Sequence, residues 1–468
     1  MSRINTNVPS LIAQRVLRKN NNSLNRSLER LSTGLRINRG ADNPAGLIAS
    51  ENLRAEKAGI NQAIDNAERA SNVIGTAEGG LSEVSSLLNE LQALVNQSAS
   101  TGGLTQAEIG ANQLQVDSIL STINRLAGST AFQGTKLLDG NFAYTTSGVS
   151  ASSFADVHIN AARVPDGAAV NVVVGVTASA QTATLGYTGG DLSATNAVTI
   201  EIAGNRGTAQ LSFAGSATVS GIIAAINAVT LNTGVSAIDS SGDLGLYSIE
   251  YGSKQFVSLT TLSGAFVATA AKDFGQDAGI TINGAAAEVD GLSATYRAAN
   301  LDIEIQLDPS FNVVGNDSFY ITGGGAVFAL GSKVTENDKA SIGIQSVTTG
   351  SLGNAAIGFL SSLGSGQDNS LTSSNLVTSQ KILDKATQQV SQLRGRLGAF
   401  ERFTVGSTIN SLGVALENVT AADSAIRDTD FAEETANLTR AQILAQAATT
   451  VLVQANASPQ LALTLLRG

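Results

Sequence analysis

The chain has no cysteine, which excludes disulfides, thiolate nucleophiles and cysteine-based metal sites. Its one histidine, His158, cannot form the His-Glu-x-x-His motif of a zinc peptidase. Charged residues are 14% of the chain, against roughly 25% in average globular proteins. The net charge of −10 argues against a general nucleic-acid binder. We therefore expect no enzyme activity, no metal and no cofactor.

Long hydrophobic runs are also missing. Arg15, Arg18 and Lys19 interrupt the apolar residues near the start, so no signal-peptide core is expected there. No other stretch is long and apolar enough for a transmembrane helix. If the protein leaves the cell, we expect it to do so without a cleaved signal peptide, and we expect no membrane insertion.

Aromatic residues are absent from residues 1–131 and proline from residues 45–164, which favours long helices. Residues 1–38 are predicted to form a helix with two apolar faces, Ile4, Val8, Leu11, Ile12 and Val16 on one, and Leu17, Leu24, Leu28, Leu31 and Leu35 on the other. A second helix is predicted from about residue 47 to residue 98, with Leu53, Ile60, Ile64, Ala67, Ile74, Leu81, Leu88, Leu91 and Val95 at helical spacing. Thr105 and Glu108 match a capping box that opens a third helix.

The other end of the chain is also helical in pattern. A seam in steps of three, four and seven predicts a helix that packs along its length on partners, formed by Leu376, Leu383, Ala386, Val390, Leu393, Leu397 and Phe400. The last 50 residues are rich in alanine, whose small side chain allows helices to pack closely. Residues at steps of three and four form one line along this predicted helix, namely Leu438, Ala441, Ala445, Ala448, Leu452 and Ala455. Pro459 is expected to end or kink that last helix. The Gly/Ser-rich residues 361–374 are interpreted as a linker.

The middle of the chain has a different period. All six tyrosines lie between residues 144 and 369. Residues 170–174, 198–202 and 301–307 read as strands, residues 219–229 as a helix, and residues 132–140 as a short hairpin. Asp302 and Glu304 face the same side of one strand. They are interpreted as a solvated face, with an acid–base or cation site as the alternative.

Three stretches make the chain similar to bacterial flagellin. They are residues 31–38 (LSTGLRIN) with 42–47 (DNPAGL), residues 132–140 (FQGTKLLDG), and residues 426–444 (IRDTDFAEETANLTRAQIL) with 454–459 (QANASP). The resemblance covers about half the chain, at its two ends. It implies an α+β multidomain fold in which both chain ends form helical coiled-coil and bundle domains around a β-rich central outer insertion.

The resemblance also implies a division of the chain. Residues 1–42 and 425–468 would form the inner coiled-coil domain, residues 43–143 and 370–424 the helical shell, and residues 144–369 the surface-exposed β-rich region. Within that region, residues 196–262 resemble a small β/α insert. The implied function is self-assembly into the extracellular flagellar filament for swimming.

Two sets of residues are assigned to assembly on this basis. The contacts within and between copies are predicted for Ile4, Val8, Leu11, Leu24, Leu28, Leu31, Leu35, Phe431, Leu438, Leu444, Val451, Leu452, Leu461 and Leu465. Packing of the shell is predicted for Ile60, Ile64, Leu81, Leu88, Leu91, Leu383, Val390, Leu393 and Leu397.

Family resemblance implies further partners. They are other copies of the chain, the flagellar export apparatus, an export chaperone, the filament cap and the hook–filament junction proteins. The family's contact for the Toll-like flagellin receptor aligns with Glu90, Leu94 and Gln115, where the family's Arg and Glu are replaced by Glu90 and Gln115. Weak or absent receptor activation is therefore expected. Three other functions remain open at this point, a hook–filament junction protein, a filament-displayed adhesin and an intracellular coiled-coil scaffold.

Overall fold

The structure, a computed structural model, describes residues 6–100, 103–165, 167–187, 189, 191–193, 196–240, 243–298, 300–373 and 375–467, with side chains up to residue 458. Ile4 and the side chains of Leu461 and Leu465 therefore lie outside the described part. Contacts divide the chain into two compact units. The first comprises Met1–Ala67, Leu330–Asp338 and Ser407–Gly468, and the second comprises Glu68–Ala329 and Lys339–Gly406.

The helices occupy mainly the two ends of the chain. They are α1 (Val8–Thr33), α2 (Pro44–Ser98), α3 (Gln106–Ser129), α4 (Val219–Ala228), α5 (Thr230–Thr233), α6 (Leu376–Ala399), α7 (Ser407–Arg427) and α8 (Phe431–Arg467). A π-helical segment, Phe400–Gly406, follows α6. Single 3-10 turns lie at Pro309–Phe311, Glu336–Asp338 and Leu360–Leu363.

The strands lie between α3 and α6. They are β1 (Ala131–Phe132), β2 (Thr135–Lys136), β3 (Tyr144–Ser147), β4 (Phe154–Ala162), β5 (Val170–Ala178), β6 (Thr184–Tyr187), β7 (Val198–Gly204), β8 (Gly207–Phe213), β9 (Val235–Ser240), β10 (Asp243–Ser248), β11 (Phe256–Ser263), β12 (Lys272–Phe274), β13 (Gly279–Ile282), β14 (Ala285–Ala286), β15 (Glu288–Asp290), β16 (Ser293–Ala298), β17 (Leu301–Leu307), β18 (Gly315–Gly324), β19 (Ala326–Ala329), β20 (Lys339–Ile342), β21 (Gly353–Asn354) and β22 (Gly358–Phe359). The α+β multidomain class is thus confirmed.

Helix α1 is shorter than the sequence pattern predicts. It ends at Thr33 because Gly34 takes a left-handed conformation (φ 73°) and donates its N–H to the Arg30 carbonyl. Leu35 therefore does not continue the apolar face of the helix. Instead, it forms an isolated antiparallel bridge with Asp428, just before α8.

Helix α8 is longer than expected. The pattern predicts that Pro459 ends or kinks this helix; it does not end it, because α8 continues to Arg467. A proline has no N–H to offer the carbonyl four residues earlier, which here belongs to Ala455. The side-chain amide of Asn7 donates to that carbonyl at 2.9 Å. The helix can therefore contain the proline without leaving this carbonyl unpaired.

The remaining N-terminal predictions agree with the structure. Helix α2 begins at Pro44, a residue suited to the first turn, and ends at Ser98. Thr105 and Glu108 form the predicted capping box at the start of α3. The hairpin β1–β2 is closed by Gln133 and Gly134, which both have positive φ, as a tight two-residue turn requires.

The Gly/Ser-rich segment before α6 is not a free linker. Leu363 and Leu371 are buried, and the Gln113 side chain of α3 holds both of them. Its Nε2 donates to the Leu363 carbonyl at 2.9 Å, and its Oε1 accepts from the Leu371 N–H at 2.7 Å. The linker interpretation is therefore wrong for residues 361–373, which pack on α3. Ser374 lies outside the described residues.

Two β-rich cores fill the middle of the chain. In the first, the sheet β14-β13-β5-β18-β3 faces the sheet β15-β16-β17-β4, and Phe319 is among the residues buried between them. In the second, the sheets β12-β11-β7-β8 and β6-β10-β9 pack with α4, which buries Ile222 and Ile226. The predicted strands and the predicted helix at residues 219–229 are present.

Candidate self-assembly surface

Helices α1 and α8 lie side by side and run in opposite directions. Contacts from Asn7, Asn20 and Arg30 along α1 reach Ala455, Leu444 and Glu434 along α8, in that order. Residue numbers thus rise along α1 as those of their partners fall along α8. This antiparallel pair joins the two ends of the chain within the first unit.

The facing sides of the pair carry small residues. Ser10, Ala13 and Ser27 of α1 are buried, and so are Ala441 and Ala448 of α8. The predicted small-residue line of α8 is buried or half-buried at each of its positions, Leu438, Ala441, Ala445, Ala448, Leu452 and Ala455. Small side chains let the two backbones approach, which brings the Asn20 amide within 3.0 Å of the Leu444 carbonyl.

Asn7 has two roles at the end of this pair. Its side-chain oxygen accepts from the Ser10 N–H at 3.0 Å and caps α1. Its side-chain nitrogen donates to Ala455, the carbonyl that Pro459 leaves without a helical donor. Ser10 adds a hydroxyl bond to Asn456 at 2.6 Å. One asparagine thus begins the first helix and supports the proline-containing turn of the last.

A charged cluster lies at the other end of the pair. The Glu434 carboxylate, with only 8% of its side chain exposed, is 3.4 Å from the Arg30 guanidinium. A cavity of about 280 Å³ beside it is also lined by Arg26 and Arg440. A nearly buried carboxylate needs a cationic partner, because water is excluded from it. This ion pair joins α1 to α8 at this end of the pair.

Both helices of the pair also leave large apolar residues exposed. On α1, Leu11 is 57% exposed, and the other exposed apolar residues are Val8, Ile12, Val16 and, from the second predicted apolar side of the helix, Leu28. On α8, Val451 is 57% exposed, and the other members are Phe431, Ile443, Leu444 and Val453. We call these two sets the α1 face and the α8 face. Patches of this kind mark surfaces that bind other proteins.

The predicted assembly residues therefore divide into two groups. Val8, Leu11, Leu28, Phe431, Leu444 and Val451 are exposed, and belong to the α1 and α8 faces. Leu24, Leu31, Leu35, Leu438 and Leu452 are half-buried within the unit. The sequence pattern assigns Val8 and Leu11 to one side of α1 and Leu24, Leu28 and Leu31 to the other, but it does not show which side is exposed.

The predicted shell residues are mostly buried. Ile60 of the first unit is buried, and Ile64 is half-buried. In the second unit the buried residues are Leu81, Leu88, Leu91, Leu383, Val390, Leu393 and Leu397. Hydrogen bonds from Gln92 to Asp384 at 3.2 Å and from Ser71 to Glu401 at 2.6 Å connect α2 with α6 and its π-helical extension.

The predicted receptor-contact residues lie on α2 and α3. Glu90 and Gln115 are exposed, whereas Leu94 is only 7% exposed. The exposed positions are those at which this chain lacks the family's charged residues. The one position that matches the family has little surface available.

The acidic pair on β17 is not a solvated strand face. Glu304 lies 3.8 Å from Lys385 of α6, and Asp302 accepts from the Asn160 side chain at 3.1 Å. Burial lowers the pKa of Arg396, also on α6, while Asp302 and Glu304 nearby oppose that shift. The pair therefore belongs to a charged contact between the sheet and α6. His158 lies on β4, with its Nε2 2.8 Å from an Asp156 oxygen.

The described residues form neither a metal-binding cluster nor a membrane-spanning helix. In that part of the chain, no group of three histidine, aspartate or glutamate side chains is arranged to hold a metal ion. Its helices also include none with the length and apolar character needed to cross a membrane.

Comparisons with known proteins match both ends of the chain. The family model for the bacterial flagellin N-terminal helical region matches residues 4–143, and the model for the C-terminal helical region matches residues 380–466. Flagellin B of Vibrio cholerae is 32% identical over 465 residues, and flagellin of Salmonella rubislaw is 31% identical over 512. B-type flagellin of Pseudomonas aeruginosa is 29% identical over 527 residues. Each alignment covers 99% of both chains.

Proposed function

This chain belongs to the bacterial flagellin family and is a structural subunit of the extracellular flagellar filament, and from that premise we propose that copies join through the α1 and α8 faces. The observation that carries the proposal is the exposure of these faces on a pair of helices that is otherwise held by specific contacts. Nothing favours the junction protein, the adhesin or the intracellular scaffold over the filament subunit.

Burial of the exposed apolar side chains by a neighbouring copy would supply the free energy for assembly. Each apolar side chain left in water forgoes part of the roughly 1.5–3 kcal/mol that full burial of a valine, leucine or isoleucine provides. Five such residues lie on the α1 face, and a further set lies on α8. A neighbouring copy that covers them would recover this free energy with every subunit added. Assembly would thus be driven by the same residues that leave an isolated chain only marginally ordered at its ends.

Charge supports the same arrangement. Residues 1–40 hold eight basic residues and one acidic residue, and exposed members of that set include Arg15, Arg18 and Lys19. Residues 420–468 hold five acidic residues and three basic ones. Complementary ends of neighbouring copies would attract one another, which favours correct docking over random contact.

The shell and the remaining partners follow from family membership. We infer that the helices carrying Leu81, Leu88, Leu383 and Val390 form the layer that transmits torque along the filament. The export apparatus, an export chaperone, the filament cap and the junction proteins are inferred partners on the same basis. The three-part division of the chain at residues 42, 143, 369 and 424 remains part of this proposal.

The test is seeded assembly of the purified chain, followed by electron microscopy. The full chain is incubated with short filament seeds beside a copy that lacks residues 430–468. Long uniform filaments from the full chain alone would support assembly through the chain ends. Full chain that only caps the seeds would instead indicate a junction protein. Monomer in both tubes would overturn the proposal.

Weak activation of the Toll-like flagellin receptor is a separate part of the proposal. Glu90 presents a carboxylate where the family has a guanidinium, and Gln115 lacks the family's charge, while Leu94 offers little surface. A reporter-cell assay should give a response well below that of a receptor-activating flagellin, and Glu90→Arg should raise it. Full potency of the unmodified chain would refute this inference.

A further inference from the structure

Strand β8 is an open sheet edge. It forms one side of the sheet β12-β11-β7-β8 and runs for 7 residues, Gly-Thr-Ala-Gln-Leu-Ser-Phe. The strand contains no charged residue and no proline, the two common means by which proteins prevent an edge strand from pairing. An edge of this length and composition is suited to strand addition.

The register shows which backbone groups of β8 are free. Gly204 and Gly207 pair across a two-residue loop and so exchange both backbone hydrogen bonds. Because hydrogen-bonded pairs alternate along an antiparallel ladder, residues 207, 209, 211 and 213 bond to β7. Thr208, Gln210 and Ser212 then direct their N–H and C=O groups outward. All three are exposed, and among the described residues no strand lies on that side.

The other long edges in this part of the chain are protected. The Asn227 side chain occupies the edge of β9, where it donates to the Ala237 carbonyl at 3.0 Å and accepts from the Ala237 N–H at 2.8 Å. The edge of β4 is covered by the segment that contains Gly343, whose N–H donates to the Asn160 carbonyl at 2.8 Å.

The shorter edges are protected as well. On β6, the Gly186 carbonyl accepts from the Thr269 N–H at 2.7 Å. The remaining edge strands, β3, β12, β14 and β15, have two to four residues each, from 2 in β14 to 4 in β3. Strand β8 thus differs from every other described edge of these four sheets in being both long and uncovered.

The outward groups of β8 are complementary to themselves. Two copies of the strand can lie antiparallel with Gln210 of one opposite Gln210 of the other. Thr208 of each copy then lies opposite Ser212 of the other copy. Each of these pairs is then a hydrogen-bonded pair, so every outward N–H and C=O obtains a partner. No like charges meet in this register. The half-buried Leu211 and Phe213, which pack against the core, would gain further cover.

We propose that β8 is a pairing edge for β8 of a second copy of this chain, which joins the β-rich regions of filament subunits two at a time. A second copy is the occupant that the observations favour, because the register is self-complementary and neutral. A filament also holds many copies at high effective concentration, so a modest edge contact suffices. The pairing is isologous and closes on itself, so it adds cross-links and does not extend the polymer.

The absence of cysteine makes a direct test possible. Gln210→Cys places the two thiols in a hydrogen-bonded pair with Cα atoms about 5.5 Å apart, within disulfide range. Filaments assembled from this variant should form a disulfide dimer on mild oxidation with oxidised glutathione. Asn205→Cys, in the exposed loop beside β8, is the matched control. In the proposed register its two copies are separated by roughly 30 Å and should not cross-link.

A second pair of variants tests the register. Thr208→Cys alone and Ser212→Cys alone should give little dimer, whereas filaments mixed from the two should give a mixed dimer. Filament yield is measured for every variant, so a failure to assemble is distinguished from a failure of edge pairing. Normal filaments in which Gln210→Cys cross-links no more than Asn205→Cys would overturn the proposal. The proposal would also be overturned if Thr208→Cys alone cross-linked as much as the mixture of Thr208→Cys and Ser212→Cys.

Discussion

Leu11→Ala should weaken filament growth without weakening the isolated chain. Leu11 lies on the α1 face and is 57% exposed. Burial of the exposed half of this leucine side chain is worth about 1–2 kcal/mol. Each copy gains this free energy only when a neighbour covers Leu11. The critical concentration for assembly should therefore rise by about 5- to 30-fold, since each 1.4 kcal/mol is a factor of ten.

The assay is sedimentation of seeded filaments over a range of protein concentrations, with thermal unfolding of the unassembled chain beside it. Leu231→Ala is the matched control, because Leu231 of α5 is 54% exposed but lies in the β-rich middle region. We expect the control to leave the critical concentration unchanged. An unchanged critical concentration for Leu11→Ala, or an equal rise for Leu231→Ala, would refute the reasoning.

Three further predictions concern contacts within the chain. Asn7→Asp keeps the acceptor that caps α1 but loses the donor to the Ala455 carbonyl. Calorimetry of the filament should therefore show a free energy of unfolding lower by about 1 kcal/mol. Asn7→Gln, which keeps the amide on a longer side chain, should not recover the wild-type value. Gln113→Ala should lower the unfolding free energy by about 1–3 kcal/mol and expose residues 361–373 to protease, because two buried backbone groups lose their partners, whereas Gln115→Ala should do neither. Partial burial raises the pKa of Asp117, but hydrogen bonds from Ser365 and Gln113 outweigh it and hold the pKa below its ordinary value. This contribution to stability is present above about pH 4 and is lost as pH falls through the folded-state pKa, so Asp117→Asn should flatten the acid end of the stability curve.

Periodicity predicted the helical parts of the fold well. The part of the seam from Leu383 to Leu397 becomes the buried side of α6, because a helix that packs along its length needs apolar residues at these steps. The capping box at Thr105 is local, and local hydrogen bonds can be read from residue spacing. The strands at residues 198–202 and 301–307 alternate apolar and polar residues, and both bury their apolar side.

Three of the errors share one physical cause, which is a partner distant in sequence, whereas the early end of α1 at Gly34 is local. Pro459 looks like a helix end until the Asn7 amide is placed beside the Ala455 carbonyl. Residues 361–373 look like a linker until Gln113 is seen to hold their backbone. Glu304 looks solvated until Lys385 is placed opposite it. Composition and spacing do not contain these contacts.

The candidate site was predictable in part for the same reason. The sequence identified both ends of the chain as helical and apolar, and family resemblance gave them a function. It did not show which side of α1 faces α8. The structure places the small residues Ala13 and Ser27 against α8, and leaves Leu11 and Val16 exposed on the outer side.

Protection of the α1 face on assembly tests the central claim most directly. Val16→Cys gives the chain a single thiol on that face, and the variant is incorporated as a minor fraction into filaments of the unmodified chain. We predict that a thiol reagent modifies it readily in the unassembled chain and only slowly in the filament, because a neighbouring copy covers it. Equal rates of modification in both states would contradict the account.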